Sequence, residues 1–390
     1  MEKIMKKSLL AAATAAAFLA GTVQAADLQI YGTVDTGLTY IHESSEIKQG
    51  GVKTYDESDN SWGLESGLNT SSVFGIVGSE QITETLTVGF QLENSFASDS
   101  GAFDDPDRLF DKESRLYVTG TLGTLSFGRM GALNAGEGTY DLFMATGDAM
   151  DGGYSDYIGA GYWLDRGIYD NTITYQSPEF AGLTLYAQYS NGLDGDDSVS
   201  CRDKDRYAAV GLGYTAGNLS MALVVDTVMK NRSFDTVYVK DVDDATSVSF
   251  GINYDFGFMK PFFGIQYGQH EDTFAGADFS DYAVDFGDFD GYSVAVGSAL
   301  PIWGGELQVS AYYSNGDGDV YAAEKPENNV GIGVDLKRYG VGVLHSYELS
   351  KRTSLYAGAG YSHQEADVKS MQYEEELDAF QVIAGLVHNF

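Results

Sequence analysis

The chain has 390 residues and a formal net charge of −34 at neutral pH, with 57 Asp and Glu against 23 Lys and Arg. A balance this acidic excludes nucleic acid as a partner, because phosphate contacts need Lys and Arg. Abundant glycine (48), tyrosine (27) and phenylalanine (21) beside five prolines mark an all-β composition, and a lone Cys201 excludes an internal disulfide.

The N-terminus reads MEKIMKKSLLAAATAAAFLAGTVQAADLQIYG. Lys3, Lys6 and Lys7 precede an apolar run from Leu9 to Ala20, and Val23-Gln24-Ala25 follows as a small-residue cleavage pattern. This predicts a secretory signal peptide over residues 1–25. The apolar run has 12 residues, too few to cross a bilayer. Its removal leaves 26–390 and moves the formal charge from −34 to −36, since the segment carries one Glu and three Lys. No later stretch offers about 20 consecutive apolar residues, which excludes a helical membrane protein.

From Asp27 the sequence alternates. Leu28, Ile30, Val34, Leu38 and Tyr40 share one parity, and Gln29, Thr33, Asp35 and Thr39 share the other, as in a long two-faced strand. Seven short connections follow, at 81–85, 120–124, 177–182, 215–218, 255–259, 300–305 and 349–353. Eight hydrophilic islands alternate with them, at 43–69, 97–108, 130–168, 191–205, 230–245, 269–289, 315–329 and 365–378. Fifteen connections join sixteen strands, with both termini on the short-turn side.

The strands have one apolar face each. Val248, Phe250, Ile252, Tyr254 and Phe256 oppose Ser249, Gly251, Asn253 and Asp255; Leu183, Leu185, Ala187 and Tyr189 oppose Thr184, Tyr186, Gln188 and Ser190. A soluble sandwich would turn the apolar face inward, whereas an outer-membrane barrel turns it to lipid and lines a wet lumen with the polar one. Strands near ten residues, turns short on one side and long on the other, and an export signal favour the barrel. Tyr40, Phe96, Tyr189, Tyr267 and Tyr313 are placed to form interfacial girdles. The last strand, AFQVIAGLVHNF, puts Phe380, Val382, Ala384, Leu386, His388 and Phe390 on one row. It suits a closing strand that leaves no edge in lipid.

The longest island, 130–168, reads MGALNAGEGTYDLFMATGDAMDGGYSDYIGAGYWLDRGI. Its Leu142, Phe143, Met144, Tyr157, Tyr162, Trp163 and Leu164 must pack on something, and the lumen is the available place. Glu137, Asp141, Asp148, Asp151, Asp156 and Asp165 stand against Arg166 alone. A negative rim in a narrowing raises the local cation concentration and opposes anions.

Several separated stretches carry a resemblance: LQIYGTVDTGLTY; SVFGIVGSE with LTVGFQLENSF; RLYVTGTLGTLSFGRM; TYDLFMATG; NTITYQSPEFAGLTLYAQY; ELSKRTSLYAGAGYS; and GLVHNF. Together they span nearly the whole chain after residue 25. In order and spacing it resembles the trimeric, sixteen-stranded general porins of Gram-negative bacteria, of the kind found in Neisseria and in Burkholderia-type bacteria. The resemblance implies a homotrimer whose third loop folds inward as an eyelet facing a basic cluster. It places Tyr140, Asp141, Leu142 and Phe143 in the loop pattern and Arg129 at its entrance. Many relatives have SRLGLRG where this chain has SVFGIVG, so Val73 and Val77 replace arginines, and Tyr169 stands where some anion-selective relatives place another. Lys112, Arg115 and Arg166 are the remaining basic candidates.

Other chemistry finds no support in the pattern. His42, His270, His345, His363 and His388 are scattered, which predicts no metal site, and no Ser/His/acid arrangement or cofactor motif can be located. The stretch 315–319, NGDGD, lacks the Gly and Glu of a calcium loop, having Val320 and Pro326 there, and reads as a solvated acidic loop. The expectation is an outer-membrane diffusion channel, not an enzyme, passing small hydrophilic solutes and ions with weak cation preference. Its partners would be outer-membrane lipid and lipopolysaccharide, and the assembly machinery that reads a C-terminal strand ending in Phe390. A substrate-specific channel and a surface-binding or adhesin barrel are the alternatives.

Overall fold

The computed structural model describes residues 27–143, 166–193, 204–230, 243–274, 284–322 and 331–390. The predicted signal peptide, Asp148 and Cys201 lie outside them. Seventeen antiparallel strands run β1 (Asp27–Gln49), β2 (Val52–Ser66), β3 (Val73–Thr83), β4 (Leu86–Ser95), β5 (Ser114–Gly120), β6 (Gly123–Gly131), β7 (Ile168–Gln176), β8 (Leu183–Ser190) and β9 (Arg206–Ala216). They continue with β10 (Leu219–Met229), β11 (Ala245–Tyr254), β12 (Lys260–Glu271), β13 (Val284–Leu300), β14 (Gly305–Ala322), β15 (Ile332–Ser350), β16 (Thr353–Val368) and β17 (Tyr373–Asn389).

These seventeen segments fill sixteen positions. The opening of β1 pairs with β3, from Asp27↔Ser79 to Thr33↔Val73, and from Thr36 onward the same edge pairs with β2. The other edge of β1 pairs with β17, from Thr33↔Asn389 to Gln49↔Tyr373. The wall is therefore a closed sixteen-strand barrel. Closure satisfies the backbone groups that an edge strand would leave bare in hydrocarbon.

Exposure decides which way the faces point. Leu28 and Ile30 are each 66% exposed and Leu38 56%, while Asp35 and Thr39 are buried. On β17, Phe380, Val382 and Leu386 are exposed, as is Phe390 just after it, while Gln381, Ile383 and Val387 are buried. The apolar row faces out, as lipid requires. Tyr40, Tyr189, Tyr267 and Tyr313 lie on that outward surface. Phe96 falls just past β4 and packs against Phe74, ring centroids 6.4 Å apart.

All seven short connections fall where the pattern puts them. The long islands differ in four places, one of them 269–289, whose ends belong to β12 and β13. Island 43–69 contains β2, which extends a hairpin with β1. Asn315 to Asp319 lies within β14, so the solvated-loop reading of that stretch is corrected to strand. Most of 365–378 is the paired outer ends of β16 and β17, joined across a 3-10 turn at Lys369–Met371.

Candidate functional site in the lumen

The third loop leaves β6 at Gly131 and re-enters the wall at β7, and its described ends, 132–143 and 166–167, fold inward. Met130, Ala132, Leu133, Ala135, Tyr140 and Phe143 are buried with Tyr207, Ala209, Ala222 and Val224, which belong to β9 and β10. Gly211 of β9 makes this approach possible: a Cβ there would stand 2.8 Å from Leu142 Cδ1 and 3.0 Å from Leu133 Cδ1. Apolar loop residues thus find apolar cover on an inner wall that is otherwise polar.

Ionic and hydrogen-bonded seats fix both ends of the loop. At the first, Glu113 accepts from Thr139 N (2.6 Å) and Thr139 Oγ1 (2.9 Å), and it pairs with Arg115 Nε at 2.6 Å. Arg115 also donates to Gln91 Oε1 (2.7 Å) and Thr139 Oγ1 (3.0 Å), and its guanidinium lies 5.3 Å from the Tyr140 ring centroid. The Tyr140 and Ser126 hydroxyls share a hydrogen bond of 2.6 Å. Lys112 Nζ meets Glu137 at 2.5 Å. At the other end, Arg166 donates to Asp226 of β10 (2.6 Å) and forks onto both oxygens of Glu271 of β12 (2.5 and 2.6 Å). Asp226 is completed by Asn134 at 3.0 Å and Ser247 at 2.5 Å.

The sequence candidates therefore separate into two groups. Glu137 and Lys112 pair on the loop's open side and keep part of their surface. Asp141 caps the loop backbone, its Oδ1 accepting from Phe143 N at 3.2 Å. Tyr140, Arg115 and Arg166 are buried between loop and wall, where they hold the loop in place. Arg129 falls on the outward row with Leu125 and Phe127. It donates to the Asp111 carbonyl (2.6 Å) and to Asp170 (2.8 Å), which also receives Arg108. Val73 and Val77 lie on the inner row of β3, opposite Thr33 and Gln29 of β1. Sequence reading missed Glu113, Asp226 and Glu271. The available signal was an acidic residue in the lumen-facing row of a strand, or, for Glu113, one place before β5.

Beside this closed barrel with its apolar face outside, a family model described as Gram-negative porin matches residues 12–367 of the chain. The chain belongs to the Gram-negative porins. An outer membrane porin protein of Bordetella pertussis is 28% identical over 99% of this chain and 100% of its own length. Outer membrane porin protein 32 of Delftia acidovorans is 26% identical over 92% of this porin and 89% of its own length. Among solved structures, an anion-selective porin from Comamonas acidovorans superposes with TM-score 0.64 at 21% identity, covering 94% of this porin and 100% of that chain. At that identity the superposition shows the fold alone. Family membership makes this porin an outer-membrane channel.

Proposed function

We propose that this porin is a general diffusion channel with a weak preference for cations, working as a homotrimer. Solutes move down their gradients through the wet lumen, and no bond is made or broken. The pairing of inner-wall basic groups carries the reading: Arg115 with Glu113, Lys112 with Glu137, Arg166 with Asp226 and Glu271, and Lys230 with Asp272 at 2.9 Å. Each of these four positive charges is matched by a carboxylate, while the chain as a whole is strongly acidic. Val73 and Val77 add no charge to the inner row of β3. A fixed negative excess along a narrow path enriches cations.

Glu137, Lys112 and Asp141 line the narrowing in this reading, with Asp148 added from the sequence alone. Arg115, Arg166 and Tyr140 set its width by seating the loop. Residues 1–25 act as an export signal. Outward apolar rows meet lipid and lipopolysaccharide, and the C-terminal strand addresses the assembly machinery. Phe390 is held by mutual backbone hydrogen bonds with Gly32 (3.0 and 3.3 Å), its ring outward. The resemblance to trimeric porins supports the homotrimer.

The test is the reversal potential of the refolded protein in a planar bilayer under a potassium chloride gradient. A cation-selective sign is expected. An anion-selective sign refutes the preference, and a saturable current blocked by one solute would replace general diffusion with a specific channel.

A further inference from the structure

We propose, building on the channel reading above, that residues 67–72 narrow the lumen from the side facing the third loop, and that Asp35 anchors them there. These residues join β2 to β3, and they leave the line of the wall. Gly67, at φ +73°, is in the left-handed region, which glycine adopts without cost. Leu68 then lies across the inner face of β1, buried with Leu344, Tyr356, Ile383 and Val387. Those four belong to β15, β16 and β17, so the segment reaches over β1 to the strands beyond it. Gly37 of β1 lies beneath: a Cβ there would stand 2.5 Å from Tyr356 Oη and 3.0 Å from Leu68 Cδ1.

Asp35 is fully buried on the inner row of β1. Its carboxylate accepts from Asn69 N (2.7 Å), Thr70 N (2.8 Å) and Tyr356 Oη (2.7 Å). Its backbone is engaged as well: the N–H donates to Ser72 Oγ at 3.0 Å, and the carbonyl accepts from Gly67 N at 3.2 Å and Ser98 Oγ at 2.6 Å. A buried carboxylate whose acceptor sites are filled by one segment's amides fixes that segment, because losing it strands the donors.

The described ends of the third loop bear on strands from β5 to β12, and this segment packs on β15, β16, β17 and β1. Counted around sixteen positions, those arcs are opposite. β1 takes part on both sides. Tyr31, two places along the inner row from Asp35, donates to Glu93 at 2.6 Å and accepts from Gln91 at 2.9 Å, and Gln91 receives the Arg115 guanidinium that holds Thr139. Asn69, Thr70 and Ser71 keep part of their surface, so the second jaw is neutral and polar where the first is acidic.

Three variants test this in planar bilayers, each checked for refolding by its heat-resistant mobility on gels. Replacing 68–71 by two glycines should raise single-channel conductance roughly 1.5-fold, because current through a wet pore follows its open cross-section. Asp35→Asn should raise it in the same direction with more open-state noise. Ser71→Arg, which leaves the anchor intact, should lower conductance and move the reversal potential toward anions. Unchanged conductance in the shortened variant, together with an unchanged reversal potential in Ser71→Arg, would overturn the second jaw. A wild type that carries no current would instead sink the channel reading itself.

Discussion

The two halves of the barrel wall are built to different lengths and braced by different forces. β5 to β9 have 7 to 11 residues, close to what a tilted strand needs to cross hydrocarbon. β13 to β17 have 16 to 19 residues and β1 has 23, so these stand well above the membrane. Inside the short half, the described ends of the third loop pack on the lumen side and are seated by buried ion pairs. The long half is packed differently at its raised end. There Phe274, Phe289, Val320, Val334, Leu336 and Ala366 bury one another on the inner side of the raised rim. In the short half buried ion pairs add to apolar contact, whereas at the raised rim of the long half the buried cluster is apolar throughout.

Breaking the ionic brace gives the largest expected effect. Arg166→Ala would leave Asp226 and Glu271 buried without their cation, a loss of about 3–5 kcal/mol. The refolded variant should unfold at lower urea than wild type, and its conductance should become larger and noisier as the loop loses its far seat. An unchanged urea midpoint with unchanged conductance would show that the loop is held by its apolar residues alone, and the contrast between the halves would fail.

The next effect separates membrane from rim along one row of one strand. Val309, Tyr313 and Asp317 share the outward row of β14, with Tyr313 at the interfacial girdle. Val309→Arg should cost about 2–4 kcal/mol near the midplane. Asp317→Arg, on the same face above the girdle, should stay within about 0.5 kcal/mol. Urea titrations in lipid vesicles read both. Equal costs would place both positions in the same environment and abolish the raised rim.

The rim is also where sequence and structure part. Alternation within the hydrocarbon is written plainly, since Leu28, Ile30 and Leu38 must meet lipid while Asp35 and Thr39 must not. Above the membrane the outward face meets water, so apolar alternation ends although the strand continues. NGDGD in β14 and YEEELD in β17 then read as loops. What survives is a size rule: Gly316 and Gly318 face in beneath the Phe274 and Phe289 rings, while Asp317 and Asp319 face out. The site was legible as a loop and a sign of charge. Its seats were not, because Glu113, Asp226 and Glu271 lie 26, 60 and 105 residues from the loop groups they hold. Arg129 shows the same limit: its motif marks the loop entrance, and only the strand's parity shows that it points away from the lumen.

The smallest effect sharpens the comparison through pH. His270 sits above the girdle in a bulge of β12, at φ 55°, with Nδ1 2.8 Å from Asp288 and its backbone N–H donating to Asp290 at 2.9 Å. The hydrogen bond to Asp288 raises its pKa above the ordinary histidine value; burial opposes the rise, and the charges of Asp288, Asp290 and Asp243 add to it. A pKa higher in the folded state stabilises fully below the unfolded value of about 6.5, and the gain is lost as pH climbs through the raised one. Both partners are about a third exposed, so solvent screening limits the contribution to roughly 0.2–1 kcal/mol. Wild type should therefore lose a little stability between pH 6 and pH 8 that His270→Asn does not lose, read as the difference of their urea midpoints. The third loop's seat contains no histidine among its named groups, so Arg166→Ala should keep the wild-type pH slope. A slope that vanished in Arg166→Ala and persisted in His270→Asn would assign the titration to the wrong half of the wall.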